Sequence, residues 1–226
     1  MTIFYIVLLM IFSYLLGSIP FGLVVGKLFK KIDIREHGSK NVGSTNAVRV
    51  LGFKWGVLTF IFDCLKGALP ILIVKYFIGD TNLYVLGSVN VIIMYGAASV
   101  IGHIYPIYIG FKGGKAVATS VGAVIAISPI IGVSGILIFF LIVWITKYAS
   151  IASMIASVSV GVALWVDTVW LTIFIDAGPN NNSLQYNLVN LILVSVLVCM
   201  ILYKHRKNFI KLLKGTENKF GSKKDK

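Results

Sequence analysis

Two lysines and two adjacent glycines stand directly before an apolar run of helix length in the segment 110–119. Because glycine has no Cβ, backbone N–H groups in such a segment can approach a ligand closely. The start of the following helix attracts an anion, and a lysine on either side adds positive charge suited to a phosphate. The pattern therefore predicts an anion-binding segment, whose phosphate ligands are Lys112, Gly113, Gly114 and Lys115.

This segment differs from a nucleotide-binding P-loop at two positions. Ile109 stands where the first glycine of that motif would be, and Ala116 replaces the serine or threonine that holds Mg²⁺. The alternative explanation is that the two lysines are interfacial anchors whose long side chains reach toward water. The adjacent glycines favour phosphate binding over this alternative, because an anchor needs no glycine.

A second polar segment, 37–49, mixes glycines with short hydroxyl and amide side chains and one arginine. It offers many hydrogen-bond donors and few acidic groups, which suits an anion that also carries hydroxyl groups. Glycine, serine and asparagine also form ordinary turns, so a turn without function is the alternative. The residues predicted to contact substrate here are Ser39, Asn41, Gly43, Thr45, Asn46 and Arg49.

Two further polar groups occur where apolar runs meet water. Ser150 and Ser153 share one face of a helix, and capping or helix packing is the alternative to substrate contact for such serines. His205 and Asn208 have the same spacing in a basic stretch that would otherwise be a membrane-surface patch. They are the less expected residues of that stretch, and we predict that they take part in chemistry.

The composition indicates what kind of protein holds these residues. Of its 226 residues 58% are hydrophobic and 13% charged, whereas a soluble domain is about one-quarter charged. We predict an all-α integral membrane protein, with 1–226 as a single polytopic domain and a basic tail from about residue 204. The net charge of +13 is assigned to the positive-inside rule, so no nucleic-acid partner is expected. Cys64 and Cys199 lie in apolar runs without metal-ligand spacing, so no metal is expected.

The longest apolar run, 116–146, is too long for one membrane helix. Its 31 residues would form a helix of about 46 Å, against a hydrocarbon core of about 30 Å. Ser128 and Pro129 lie near its middle, where a helix would break or kink. We therefore predict two short helices that return to the starting side. The other apolar runs are 2–25, 55–78, 84–106, 148–175 and 186–203.

The distribution of charge supports this hairpin. Basic residues concentrate in 27–54 and after residue 203, whereas the opposite connections carry Asp80 and Asp176 and no lysine or arginine. All basic segments share one side of the membrane only if 116–146 goes in and comes back. The prediction is about seven transmembrane helices, two of them short, with the N-terminus outside and the C-terminus cytoplasmic.

Two ionisable residues occur inside the apolar run 55–78. Asp63 and Lys66 are one helical turn apart, so they can pair with each other. Charged groups inside a membrane are costly when they stand alone. The prediction is therefore a structural ion pair near the cytoplasmic end of this helix.

Three motifs make the chain resemble a known family. They are Gly38-Ser39-x-Asn41-x-Gly43-x-Thr45-Asn46-x-x-Arg49, then Gly102-His103-x-x-Pro106 leading to Phe111-Lys112-Gly113-Gly114-Lys115, and His205-Arg206-x-Asn208. In this order they are similar to the signature motifs of the acyl-phosphate:glycerol-3-phosphate acyltransferases, the PlsY family, and the resemblance covers essentially the whole chain. Lys40, Ser44 and Lys147 stand where this family commonly has glycine, alanine and arginine.

The resemblance implies an enzyme of the bacterial plasma membrane with seven helices and its motifs on the cytoplasmic side. Such an enzyme moves a fatty acyl group from acyl phosphate to the 1-hydroxyl of glycerol 3-phosphate. The products are 1-acylglycerol 3-phosphate and inorganic phosphate, in the first step of phospholipid synthesis. No cofactor is expected, the partners are the two substrates and membrane lipid, and we expect a monomer.

The residues and the resemblance agree on the chemistry. Acyl phosphate is already activated, so direct attack by the glycerol hydroxyl needs orientation, charge neutralisation and a proton acceptor. That acceptor is either His205 or the phosphate of the donor, and the sequence leaves both open. Ser150 and Ser153 are expected to support the hydroxyl. The residues expected to be catalytic are Ser39, Lys115, His205 and Asn208.

Two other classes of protein share some of these features. A transporter of organic phosphates would have basic loops and intramembrane charge, but it commonly shows two related halves. A lipid-headgroup binder would have basic segments next to the membrane, but it would need neither ordered glycine loops nor His205.

Overall fold

The computed structural model describes residues 2–78, 84–85, 89–90, 92–174 and 183–220. Asp80 and Asp176, which entered the charge argument for the topology, lie outside these residues. Helices dominate the described chain, and a small antiparallel hairpin pairs Tyr84 with Asn90 and Val85 with Val89. The helices are α1 (Thr2–Ser18), α2 (Phe21–Lys30), α3 (Ser44–Leu51), α4 (Phe53–Ile73), α5 (Ile92–Ile104), α6 (Val117–Ile127), α7 (Pro129–Thr146), α8 (Ala149–Phe174), α9 (Ser183–Lys204) and α10 (Arg206–Leu213); the strands are β1 (Tyr84–Val85) and β2 (Val89–Asn90).

Many of these helices are long and apolar enough to cross a membrane. Within the described residues four qualify alone, namely Phe53–Phe77, Ile92–Ile109, Pro129–Thr146 and Ala149–Trp170. Two bent pairs qualify together, α1 with α2 at 43° and α9 with α10 at 48°, which gives up to six spans. Helix α6 is apolar but shorter. A count of seven requires α6 to cross as well, so this count and the sidedness of the termini stay predictions.

The break predicted within 116–146 is present at Ser128. This residue has an extended backbone, and Pro129 opens α7, because a residue before proline avoids helical geometry. Gly132 of α7 lies against Ile125 of α6, so the chain folds back on itself after the break. The long apolar run is therefore a helical hairpin.

The packing of α6 fixes its direction relative to α4. Gly67 of α4 lies against Thr119, near the start of α6. One turn further along both helices, Ile71 and Ala123 share a buried cluster. The two helices therefore run in the same direction, and α7 runs in the opposite one.

A buried polar network ties α4, α5 and α6 to the break between α1 and α2. Asp63 and Lys66, each with a side chain 1% exposed, form the predicted ion pair at 2.8 Å. Lys66 Nζ also donates to the carbonyl of Ile19 at the break between α1 and α2, at 2.7 Å. His103 of α5 is 3.1 Å from the Thr119 hydroxyl of α6 and 3.6 Å from Asp63. Because each charge has a partner, the network holds the helices together instead of destabilising them.

Candidate active site

Most of the predicted site residues line one cavity of about 340 Å³. The loop before α3, the start of α6, the start of α8 and the junction of α9 with α10 meet at its polar end. Segments that are distant in the chain therefore converge on a single space. The predicted residues that line it are Ser39, Asn41, Gly43, Thr45, Asn46, Arg49, Lys115, Ser150, Ser153, His205 and Asn208.

Three predicted phosphate ligands, Lys112, Gly113 and Gly114, are not among the residues that line the cavity. The Gly114 N–H donates to the carbonyl of His103 at 3.1 Å, so this donor is already engaged. A Cβ on Gly114 would collide with the His103 ring, and one on Gly113 would collide with the His103 carbonyl. The glycines are thus required by close packing on α5, and their predicted contact with phosphate stays a prediction.

Asn46 shapes the loop that presents Ser39 to the cavity. Its side chain is buried, and Nδ2 donates to the carbonyls of Ile34 at 2.8 Å and Asn41 at 2.9 Å. Oδ1 accepts the backbone N–H of Ser39 at 2.8 Å. The amide therefore makes its hydrogen bonds within the loop and positions Ser39, and the predicted contact of Asn46 with substrate stays a prediction.

Lys40 adopts a left-handed backbone conformation in the same loop, with φ of 59°. Glycine commonly occupies this position in the family that the motifs resemble. The residue here is a lysine, and such a conformation costs a residue with a Cβ about 1–2 kcal/mol. The loop therefore keeps the glycine-like geometry in spite of the substitution.

A chain of hydrogen bonds crosses the polar end of the cavity. Lys115 Nζ donates to Asn208 Oδ1 at 2.6 Å, and Asn208 Nδ2 donates to Glu217 Oε1 at 2.7 Å.

The charges at this end of the cavity shift the pKa values of two cations. Burial lowers the pKa of Lys115 to about 8. The charge of Glu217 raises the pKa of Lys115, and the charges of Arg49 and Lys211 lower it further. Burial also lowers the pKa of Arg49, against the attraction of Glu217. Two cations thus face one carboxylate, which leaves a net positive charge for an anionic ligand.

His205 is a buried imidazole at the bend between α9 and α10, and it is 2% exposed. Its Nδ1 lies 2.9 Å from the carbonyl of Ile201. A carbonyl oxygen only accepts, which assigns the proton to Nδ1 and leaves the Nε2 lone pair free in the neutral ring. The ring is therefore oriented to accept a proton or a hydrogen bond through Nε2.

The hydroxyl groups along the cavity differ in their partners. Ser153 Oγ donates to the carbonyl of Ala149 at 2.8 Å, so its donor is used within α8. Ser150 Oγ is buried and has no protein hydrogen-bond partner among the described residues. Ser120 Oγ of α6 is in the same situation and also lines the cavity. Buried hydroxyls without partners are costly, so Ser150 and Ser120 are placed to bond a polar group of a ligand.

Sequence reasoning missed the part that the C-terminal tail plays. Glu217, Asn218 and Phe220 line the cavity, and the Phe220 N–H donates to the carbonyl of Lys147 at 2.6 Å. The tail therefore folds back over the polar end instead of leaving into solvent. The one available signal was that Glu217 is the single acidic residue of the otherwise basic segment 204–220.

Most of the rest of the cavity wall is apolar, although Asp63, His103 and Ser157 also line it. This wall is built from α4, α5, α6, α7, α8 and α9. Two of its aromatic residues, Phe53 and Phe140, are 72% and 59% exposed on the outside of the helix bundle. The same cavity thus has a cationic end and an apolar stretch that reaches the protein surface. Such a cavity can hold a molecule with an anionic head and an apolar chain. Its apolar lining includes Val57, Phe60, Val124, Ile136, Phe139, Val160, Leu164, Leu197 and Val198.

Comparisons with known proteins agree with this architecture. Residues 7–215 match the family model described as glycerol-3-phosphate acyltransferase. A glycerol-3-phosphate acyltransferase of Acholeplasma laidlawii is 55% identical over 225 residues, which are 99% of this chain and 97% of the relative. One from Aquifex aeolicus (strain VF5) is 40% identical over 213 residues, which are 94% of this chain and 97% of the relative.

Two solved structures are also similar over 96% of both chains. The first is the glycerol 3-phosphate form of PlsY, an integral membrane glycerol 3-phosphate acyltransferase, with 40% identity and a TM-score of 0.78. The second is the lysophosphatidic acid form of PlsY, with 41% identity and a TM-score of 0.75. Because residues 7–215 match the family model and a relative is 55% identical over 225 residues, the chain belongs to the glycerol-3-phosphate acyltransferase family.

Proposed function

We propose that this protein transfers a fatty acyl group from acyl phosphate to the 1-hydroxyl of glycerol 3-phosphate. The products are 1-acylglycerol 3-phosphate, which is lysophosphatidic acid, and inorganic phosphate. The observation that carries the proposal is the single cavity that joins Arg49 and Lys115 to an apolar stretch. Both substrates have an anionic phosphate, and the donor also has the hydrocarbon chain that such a stretch accepts.

The reaction needs no covalent enzyme intermediate. The 1-hydroxyl oxygen attacks the acyl carbonyl carbon, and the bond from that carbon to the phosphate oxygen then breaks. The electron pair of that bond leaves with inorganic phosphate, and the hydroxyl proton goes to a base. Because the donor is an activated mixed anhydride, most of the enzyme's contribution is orientation and neutralisation of negative charge.

Arg49 and Lys115 are the groups that we assign to the phosphates. Arg49 suits bidentate binding of phosphate oxygens, whereas Lys115 acts as a point charge that Asn208 holds in place. Arg49 and Lys115 lie at the same end of the cavity, so either cation can serve either phosphate. Lys112 has a smaller part in this proposal than the sequence suggested, because it does not line the cavity.

His205 and the phosphate of the donor remain the two candidates for the base. The Nδ1 contact with Ile201 supports His205, since it leaves Nε2 available to the attacking hydroxyl. The hydroxyl groups of Ser39 and Ser150 would orient glycerol 3-phosphate or the acyl carbonyl oxygen. Gly43 and Thr45 lie at the start of α3, beside Ser39, and complete this side of the cavity.

We propose that the protein works as a monomer in the bacterial plasma membrane, with seven helices and its site toward the cytoplasm. The support is the clustering of basic groups at one end of the helix bundle. Lys204 Nζ donates to the carbonyl of Ile104 there at 3.2 Å, and Lys115 and Arg49 line the cavity at the same end. The positive-inside rule places such an end in the cytoplasm.

Purified protein in detergent, supplied with acyl phosphate and glycerol 3-phosphate, tests this function. We expect release of inorganic phosphate that depends on both substrates and matches the lysophosphatidic acid formed. Acyl-coenzyme A in place of acyl phosphate should give no product. Uptake of labelled glycerol 3-phosphate into proteoliposomes without an acylated product would instead indicate a transporter. Binding without turnover would indicate a lipid-headgroup binder.

A further inference from the structure

An aromatic pair at the end of α2 and the start of α4 carries two lysines. Phe29 stacks on Trp55, with ring centroids 4.5 Å apart and planes at 24°. Lys30 Nζ is 5.9 Å and Lys54 Nζ 5.2 Å from the Trp55 ring centroid. Both distances are within the range of cation–π attraction, so the Trp55 indole attracts two ammonium groups from different helices.

These two lysines have no ion pair within the described residues. Nearby, Lys27 lies 3.9 Å and Arg35 lies 2.7 Å from the carboxylate of Asp33, which partly neutralises both. Lys30 and Lys54 have no such carboxylate, and both are exposed. Two like charges gathered around one ring repel each other. An anion bound near both ammonium groups would reduce that repulsion.

The surroundings of the pair are apolar and exposed. Leu28 is 71%, Phe29 53% and Phe53 72% exposed. Tryptophan and lysine next to such residues are typical of the level of lipid headgroups, where one end of a side chain is apolar and the other wet. A ligand that matches this surface must therefore offer both negative charge and hydrocarbon, which a free phosphate ion does not.

We propose that Lys30, Lys54 and Trp55 form a binding site for the phosphate headgroup of an anionic phospholipid, whose chains lie along Leu28 and Phe29. The site is outside the catalytic cavity, although Phe53, which precedes Lys54, also lines that cavity. The bound lipid therefore stands beside the open side of the cavity. Lipid binding at this site requires no catalytic turnover, so its test is independent of the acyltransferase proposal.

Native mass spectrometry of the intact protein tests this site, with dioleoyl phosphatidylglycerol as the probe and dioleoyl phosphatidylcholine as the neutral lipid. We expect the wild-type protein to retain phosphatidylglycerol in preference to phosphatidylcholine. Lys30→Gln/Lys54→Gln should weaken that retention about tenfold or more, since each lysine near a lipid headgroup contributes on the order of 1 kcal/mol. Lys30→Arg/Lys54→Arg should restore it, because arginine keeps both the charge and the ring contact.

Lys207→Gln/Lys214→Gln is the matched control, because it removes two exposed charges of α10 and its end without touching Trp55. Retention in this control should stay within about twofold of wild type. An equal loss in control and test variants would mean general electrostatic attraction and would overturn the proposal. Full retention in Lys30→Gln/Lys54→Gln would overturn it too. Displacement of the lipid by millimolar inorganic phosphate alone would identify a free-phosphate site and reject a lipid one.

Discussion

Lys115 donates a hydrogen bond of 2.6 Å to Asn208 across 93 positions of the chain. The bond joins the start of α6 to α10, and Asn208 continues it to Glu217 at 2.7 Å. A cation whose pKa burial lowers to about 8 is thereby held at a fixed place in the cavity wall. The position of this ammonium group is the basis of the predictions on activity.

Lys115→Ala should lower acyl transfer on the order of 100-fold, because it removes a preorganised positive charge from the end of the cavity that we propose binds phosphate. Lys112→Ala is the matched control, since it removes a lysine three positions earlier that does not line the cavity. We expect the control to stay within about threefold of wild type. Steady-state rates of phosphate release compare the two variants. A larger loss in Lys112→Ala than in Lys115→Ala would return the phosphate site to the glycine segment.

The activity should fall as the pH rises through about 8. Lys115 is charged below its pKa of about 8 and neutral above it, so the cavity loses a cation on the alkaline side. The measurement is kcat/KM from pH 6 to 9.5, which reports groups of the free enzyme. Lys115→Arg keeps its charge over this range and should lose the alkaline decline. The same decline in Lys115→Arg would assign it to another group.

Glu217→Gln should move the alkaline decline to lower pH. The carboxylate of Glu217 raises the pKa of Lys115, and glutamine keeps an acceptor oxygen for Asn208 while it removes the charge. Asp167→Asn is the control, because it removes an exposed carboxylate that does not line the cavity. Its profile should match that of wild type. A shift of the Glu217→Gln profile to higher pH would contradict the electrostatic coupling.

Gly114→Ala should destabilise the protein by about 1–3 kcal/mol, because its methyl group would collide with the buried ring of His103. The same collision should displace Lys115 next to it and raise KM for glycerol 3-phosphate. Gly43→Ala is the comparison, since only Asn41 lies near its added Cβ, at 3.5 Å. Thermal unfolding in detergent measures both variants. An unchanged midpoint in Gly114→Ala with a raised KM would favour direct phosphate binding by the glycine segment.

Local features of the fold could be predicted from the sequence because they depend on neighbours in the chain. The Asp63–Lys66 pair follows from helical spacing, and the break at Ser128 follows from the proline after it. The convergence of the polar segments followed from charge distribution combined with the family resemblance. These inferences needed no knowledge of side-chain packing.

The detailed roles within the site could not be predicted in the same way. Lys112 and Lys115 look equivalent in the sequence, but left-handed conformations at Phe111 and Ala116 bracket the segment, and only Lys115 lines the cavity. Asn46 looks like a ligand, but its amide bonds the loop backbone. Glu217 reaches the cavity through a fold-back of the tail. No local pattern encodes these three outcomes, because each depends on contacts between distant segments.

A structure of the protein with bound glycerol 3-phosphate tests the central claim most directly, namely that Arg49, Lys115 and His205 serve one substrate pocket. We predict that the ligand phosphate lies within about 3 Å of the Arg49 guanidinium or of Lys115 Nζ, at hydrogen-bond distance. The 1-hydroxyl should point toward His205 and the apolar stretch. A phosphate bound at Lys112 outside the cavity, with Arg49 and Lys115 free of ligand, would contradict the account.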